Sequence, residues 1–320
     1  MANENYVTLF DSLYLPQGLA LQKSMEENKL SYTLWIICVD ELTYEILNTL
    51  ELNNVRLINL KNVETKELLK VKKDRTKGEY CWTLTPFAPK FVFEQDQSIN
   101  RVTYIDADIY FFSNPEPIFE EFENSQKSIL ITEHSFSPEF DKTFESGKFC
   151  VQFIIFKRNG SESVIKWWQQ RCLEWCYNRL ENGKFGDQKY LDLWPFLFSD
   201  YIHILQNKEL ALGPWNATRY PIGNAVFYHF HGVRISDSNR ININESGYKL
   251  PNPLLKYAYY PYVKSIGYSI KLLEKKGFNI KIQAKKYNFL HKIIKIIKYY
   301  IKNIKYNYII DLNINKIENK

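Results

Sequence analysis

The run Tyr32–Val39, YTLWIICV, decides how this chain must fold. A strand with one wet face alternates polar and apolar residues. A near-continuous apolar run marks a strand covered on both faces, as in parallel sheets. Asp40 follows it, placed to cap a helix expected from Glu41 to about Leu50. Val55–Leu60 (VRLINL) is the next strand, and a lysine-rich helical segment comes after it. Upstream, Val7–Phe10 is a short apolar run ending in Asp11, and a helical pattern through Leu19, Leu21 and Met25 reaches about Glu27. Downstream, a helix is expected from Trp82 to about Glu94, its start blurred by Pro86 and Pro89. Val102–Ile105 then runs as a strand straight into Asp106-Ala107-Asp108. This β-α-β-α alternation predicts an α/β fold on a mainly parallel, doubly wound, Rossmann-like sheet. Ligands of such sheets bind beyond the carboxyl ends of the strands, where Asp11 and the Asp106/Asp108 pair both fall.

The second half is less regular. Phe149–Phe156 (FCVQFIIF) reads as a buried strand. Glu162 to about Leu180 reads as a long amphipathic helix bearing Trp167, Trp168 and Trp175, closed by Gly183–Gly186. No internal repeat and no Gly/Ser linker interrupts the chain. At 320 residues it can bury one large core, or a core plus an appendage. The expected division is a body over 1–250 and a C-terminal extension over 251–320.

Hydrophobic content of 45% and charged content of 24% are those of a soluble globular protein. Aromatic content of 16% suits a deep core, and also a cleft that stacks flat rings. Cys38, Cys81, Cys150, Cys172 and Cys176 are odd in number and scattered, so reduced thiols are expected rather than a disulfide framework. Cys172 and Cys176 stand four apart but have no second Cys/His pair to complete a metal site. Met1-Ala-Asn-Glu-Asn lacks the pattern of a signal peptide, and no stretch of 18 apolar residues occurs, so a cytoplasmic location is expected.

Charge is unevenly spread. Residues 281–320 hold ten Lys against Asp311 and Glu318, a balance of +8, which leaves the first 280 residues at −2 of the net +6. Between 285 and 305, seven Lys and no acid accompany Phe289, Ile293, Ile297, Tyr300 and Ile304 at helical spacing. This is a basic amphipathic helix, a form that lies on anionic membrane surfaces. Each basic residue near such a surface contributes roughly 1 kcal/mol. A helix docked on the body with solvated lysines is the other reading. Nucleic acid is not an expected partner, because the body offers no basic groove.

The acidic triplet carries the chemistry. Alternate residues of a strand point the same way, and in a turn they can still converge on one cation. Hard divalent ions such as Mn²⁺ or Mg²⁺ prefer carboxylate oxygens and bridge to phosphates. Such an ion neutralises charge on a departing diphosphate. By itself D-x-D is equally an N-cap or a turn. In YIDADIYFF (residues 104–112), however, two carboxylates inside an apolar run are costly unless paired or metal-bound.

With the triplet in place, residues 5–235 resemble GT-A glycosyltransferases, in pattern nearest the family-8 galactosyl/glucosyltransferase group. Thr8-Leu9-Phe10-Asp11-Ser12-Leu13-Tyr14 resembles the first-strand segment that holds base and ribose. Phe87-Ala88-Pro89-Lys90 stands where the family has a donor-facing Arg; Lys90 keeps the charge and loses the bidentate fork. Phe185-Gly186-Asp187-Gln188 resembles the D-Q segment facing the sugar, and Trp215-Asn216 the element that follows it. Tyr228-His229-Phe230-His231-Gly232 resembles the H-x-x-G segment whose His is the third metal ligand. The spacing selects His229, with His231 as runner-up. The family's lysine after the glycine is missing, Arg234 being the nearest cation, and its N-x-G segment reads Cys150-Val151-Gln152.

The resemblance implies a GT-A catalytic domain over 1–250 and a retaining hexosyltransferase using a nucleotide-diphosphate sugar, a UDP-sugar first. Its acceptor is a glycan or lipid-linked saccharide, and its role the synthesis of cell-surface polysaccharide or lipopolysaccharide. Asp106, Asp108 and His229 hold Mn²⁺ or Mg²⁺ on that reading. Phe10, Asp11, Tyr14, Lys90 and Ala107 belong to the donor site, and Asp187 and Gln188 to the reacting centre. The tail then implies attachment to the inner face of the cytoplasmic membrane. A nucleotidyltransferase is the rival enzyme, though Leu15-Pro16-Gln17-Gly18 is a poor version of its Gly-rich loop. A non-catalytic sugar-nucleotide-binding scaffold is the rival of another class.

Overall fold

The structure, a computed structural model, describes residues 3–281 and 311–318. In chain order its strands are β1 (Glu4–Phe10), β2 (Tyr32–Cys38), β3 (Val55–Asn59), β4 (Arg101–Ile105), β5 (Ile109–Phe111), β6 (Ile129–Glu133) and β7 (Phe149–Lys157). There follow β8 (Ile202–Ile204), β9 (Ala211–Leu212), β10 (Phe227–His229), β11 (Arg234–Asp237), β12 (Arg240–Asn242) and β13 (Asp311–Asn313). Seven form the central sheet, in the order β3-β2-β1-β4-β7-β6-β8. Both pairings of β7 are antiparallel and the others parallel, so β7 alone runs against the rest.

The two-sided burial read from YTLWIICV is present side chain by side chain. Trp35 and Ile37 enter one core with Val7, Leu9 and the helices Lys77–Leu84, Ala88–Gln95 and Glu162–Glu174. Leu34 and Ile36 enter another with Tyr6, Phe10 and the helices Leu15–Glu27 and Glu41–Leu50. Helices thus cover both faces of a mainly parallel sheet, the doubly wound arrangement. Asp40 caps its helix, Oδ1 accepting from the Thr43 N–H at 2.9 Å. Such a bond stabilises a helix by about 1 kcal/mol.

Two helix expectations need correction. The helix placed at 82–94 is two helices, Lys77–Leu84 and Ala88–Gln95, joined by a tighter turn over Thr85–Phe87. Pro86 and Pro89 lack the N–H groups a continuous helix would need there. The helix from Glu162 ends at Glu174 rather than near Leu180, because Trp175 is extended and its indole N–H donates to Glu181 Oε1 at 3.1 Å.

Two smaller sheets, β5-β10-β9 and β11-β12-β13, flank the site. Tyr110, Tyr228, Phe230 and Ile235 share one core with Tyr259, Tyr262, Ile266 and Ile314. Residues on both sides of position 250 therefore belong to the same packing unit. The basic amphipathic helix expected at 285–305 lies outside the described residues. Among the described residues no helix is long and apolar enough to cross a membrane.

Candidate functional site

The parallel register brings the carboxyl ends of β1, β2 and β4 to one edge of the sheet. There β4 stops, and Asp106-Ala107-Asp108 turns the chain into β5, the Ile109 N–H donating to Asp106 O at 3.2 Å. The Asp106 N–H donates to Gln152 O of β7 at 3.1 Å. Strand β10 lies antiparallel on β5 and pairs His229 with Ile109. Just beyond it, the Phe230 N–H donates to Asp108 O at 2.9 Å. Backbone hydrogen bonds thus fix both aspartates against the histidine. His229 Nε2 lies 3.0 Å from Asp108 Oδ1 and 3.8 Å from Asp106 Oδ2. One ligand atom from each of the three lies within 4.8 Å of the others.

Two carboxylates this close repel by about 3 kcal/mol at an effective dielectric of about 20. Burial pushes Asp106 up; the His229 charge pulls against this, and the Asp108 charge adds to the rise. Burial also pushes on Asp108, but the charge and hydrogen bond of His229 outweigh it and hold Asp108 at about 2. Burial would lower His229, yet the two aspartates raise it well above its ordinary value. The Tyr104 hydroxyl donates to Asp106 Oδ1 at 2.9 Å. Two carboxylates and an imidazole, with Asp106 held by Tyr104 and His229 by Gln152, fit a divalent ion such as Mn²⁺ or Mg²⁺. Neither aspartate caps a helix, so the capping reading of the triplet does not apply.

The group lies on the floor of a cleft of about 670 Å³. Phe10, Asp11, Tyr14 and Ala107 line it, as do Asp187, Gln188, His231 and Arg234. Gly18 packs closely beside Phe10, where a Cβ would fall 2.5 Å from Phe10 Cε1. Asp187 precedes a short 3₁₀ turn without capping it, and its Oδ2 is buried with no hydrogen-bond partner among the described residues. Burial and then the Asp106 charge push its carboxyl up to about 8. The Gln188 amide donates to Ser146 O at 2.9 Å.

One expected donor-site residue is elsewhere. Lys90 projects from the exposed face of its helix, 3.6 Å from Glu94, and does not line the cleft. Its neighbours Ala88, Pro89, Phe91 and Val92 face the core and fix that orientation. Among the described residues, the Lys and Arg side chains that line the cleft are Lys77, Lys142 and Arg234. His231 sits exposed at the rim, outside the Asp-Asp-His group, because β10 ends at His229 and the strand alternation stops with it. Cys172 and Cys176 are buried and free, and belong to no metal-type cluster among the described residues.

Three site residues escaped the sequence reading: Tyr104, Gln152 and His134. Gln152 is fully buried, and its Oε1 lies 3.1 Å from His229 Nδ1. A lone amide in FCVQFIIF was the available signal. His134 is buried at the cleft wall, its Nδ1 donating to Gly147 O at 3.1 Å and its ring stacked on Phe136 at 4.6 Å. Trp215 stands edge-on between His134 and His229, at 5.0 and 5.3 Å. Asn216 is structural: it accepts from the Gly213 N–H and donates to His134 O, both at 3.0 Å.

No protein-family model matches the chain. The uncharacterized protein YfnF of Bacillus subtilis (strain 168) is 33% identical over 256 residues, covering 74% of this chain and 84% of YfnF. The chain belongs to the YfnF family. A second protein of that organism, the uncharacterized YfnD, is 27% identical over 281 residues, covering 83% of this chain and 89% of YfnD. Among solved structures, the galactosyltransferase LgtC in complex with donor and acceptor sugar analogues superposes with a TM-score of 0.52. The match covers 82% of this chain and 95% of LgtC at 11% identity. At that identity the likeness establishes the fold, and this YfnF-family chain has the GT-A glycosyltransferase fold.

Proposed function

We propose that this protein is a divalent-metal-dependent, retaining hexosyltransferase that moves a sugar from a nucleotide-diphosphate donor, a UDP-sugar first, to a saccharide or lipid-linked acceptor. The observation that carries the reading is the Asp106, Asp108 and His229 group at the carboxyl edge of a GT-A sheet. These three would hold Mn²⁺ or Mg²⁺, which when bound supplies positive charge to the leaving diphosphate.

The chain's own groups supply the rest. Phe10, Asp11 and Tyr14 would hold base and ribose at the end of β1. Arg234 and Lys77, both on the cleft wall, would add charge to the phosphates in the part first assigned to Lys90. The unpartnered Oδ2 of Asp187 would accept a hydrogen bond from a donor-sugar hydroxyl, and its elevated pKa reflects how poorly it is otherwise solvated. Gln188, anchored through Ser146, would face the anomeric carbon. On a retaining front-face route the leaving phosphate takes the acceptor's proton, so no dedicated base is needed.

The seven lysines of 285–305 would rest on the anionic inner face of the cytoplasmic membrane, suiting synthesis of cell-surface polysaccharide or lipopolysaccharide. Replacing them with glutamine should release the protein from anionic liposomes; unchanged binding would favour a docked helix. The central test is a thermal-shift screen of UDP-, GDP-, CDP- and TDP-sugars with and without Mn²⁺. A metal-dependent shift with one donor is expected. No such shift with any of them would overturn the reading.

A further inference from the structure

Gln152 touches the metal group twice. Its backbone carbonyl accepts from the Asp106 N–H at 3.1 Å, and its side-chain Oε1 lies 3.1 Å from His229 Nδ1. Its amide nitrogen faces Thr132 Oγ1 at 3.5 Å, and the whole residue is fully buried within the run Phe149–Phe156, whose other side chains are apolar. Burying an amide in a core is unfavourable unless its hydrogen bonds are made there. Here the strongest of them goes to a histidine whose other nitrogen faces two carboxylates.

We propose that Gln152 is the positioning residue of the metal site, fixing His229 in the tautomer that offers Nε2 to a divalent ion. The carbonyl oxygen of Gln152 can only accept, so it selects the imidazole form with the proton on Nδ1. The Nδ1 proton stays on the imidazole in its hydrogen bond to Gln152 Oε1, and Nε2 is the atom that would be offered to a divalent ion. An amide does this without charge. The donor set therefore keeps two negative charges, from Asp106 and Asp108, to match one divalent cation. The same residue sets the position of Asp106 through its backbone, so β7 aligns two ligands that come from different strands. Partners of this kind beyond the ligand shell orient the imidazole and raise its basicity.

The inference rests on the metal-dependent reading above, and one experiment separates the two. Mn²⁺ alone is titrated into the full-length protein and followed by electron paramagnetic resonance, for the native chain, Asp108→Asn, Gln152→Leu, Gln152→Asn and Gln152→Glu. The native chain should bind, and Asp108→Asn should not. Gln152→Leu and Gln152→Asn should weaken Mn²⁺ binding by about 10- to 100-fold, the usual effect of losing such a partner. Gln152→Glu retains an acceptor at Nδ1 and should bind within about threefold of native or tighter, which a merely structural glutamine would not predict. Near-native binding by either Gln152→Leu or Gln152→Asn overturns the inference and leaves the metal site standing. So does Gln152→Glu binding as poorly as Gln152→Leu. A native chain that does not bind Mn²⁺ overturns both.

Discussion

Asp108 owes its low pKa of about 2 to His229, which outweighs the opposing effect of burial. Asp108→Asn keeps the side-chain shape and removes the charge. Transfer should fall by about 100-fold or more, on the scale of losing one electrostatic contact in a preorganised site. The variant should remain folded by circular dichroism, and full activity would sink the metal assignment. His134 offers a separate measurement. Burial lowers its imidazole from 6.5 to about 3, outweighing the hydrogen bonds to the Lys148 and Gly147 backbone that pull it up. In the unfolded chain the ring takes up a proton below its ordinary pKa, and in the folded chain it refuses that proton. The stability contributed by a neutral His134 is thus present above pH 6.5 and lost progressively as pH falls toward 3. Between pH 7 and pH 5 the loss is about 2 kcal/mol. Urea midpoints at the two pH values should show it in the native chain, and His134→Gln should remove most of it. An unchanged pH dependence in the variant would refute the buried-neutral assignment.

At the scale of elements, β10 delivers His229, and its aim depends on what lies behind it. Phe230 stacks on Tyr262 of the helix Tyr260–Lys275 at 3.8 Å, and both rings are fully buried. Tyr262→Ala should cost about 3–5 kcal/mol through the cavity it leaves, read from the denaturant midpoint. The Tyr262 hydroxyl is buried with no hydrogen-bond partner among the described residues. Tyr262→Phe should therefore be neutral or raise Tm, because an unmatched buried hydroxyl is itself unfavourable. A drop in Tm for Tyr262→Phe would reveal a partner for that hydroxyl. The helix also explains why position 250 is a weak boundary: its apolar face completes the core behind the site.

For the whole molecule, the return of the chain at residues 311–318 depends on Gly267. Strand β13 pairs with β12, and Ile314 meets the helix Tyr260–Lys275 where a Cβ on Gly267 would stand 2.5 Å from Ile314 Cγ2. Glycine inside a helix is less favourable than alanine by about 1 kcal/mol, so close approach is the reason for it here. Gly267→Ala should raise the helix propensity and still loosen residues 311–318. Faster hydrogen exchange in β13 would report this, and the Gly267→Ala, Ile314→Ala double variant should recover part of the loss. Native-like exchange in Gly267→Ala would mean that the contact relaxes freely.

Much of this was legible in the chain. YTLWIICV specified a strand buried on both faces, and the alternation around it specified a doubly wound sheet. Local pattern suffices there because burial acts on neighbouring side chains with a fixed period. The same locality exposed Asp106 and Asp108, two charges in an apolar run. The Lys90 assignment failed because a sequence offset does not say which face of a helix a residue takes, and buried Ala88 and Phe91 turned it outward. His229 and His231 could not be separated by spacing, since the choice depends on where β10 ends, and its pairing with β5 settles that. Gln152 showed only as a lone amide in an apolar run, and its role was not legible because its partner His229 is 77 residues away on a strand of another sheet. By itself the sequence determined the sheet, its two-sided core and the acidic pair, because these follow from short-range periodicity and burial. Only the tertiary structure decided which histidine joins that pair, which cations reach the cleft and what holds the imidazole in place, because those depend on distances between segments far apart in the chain.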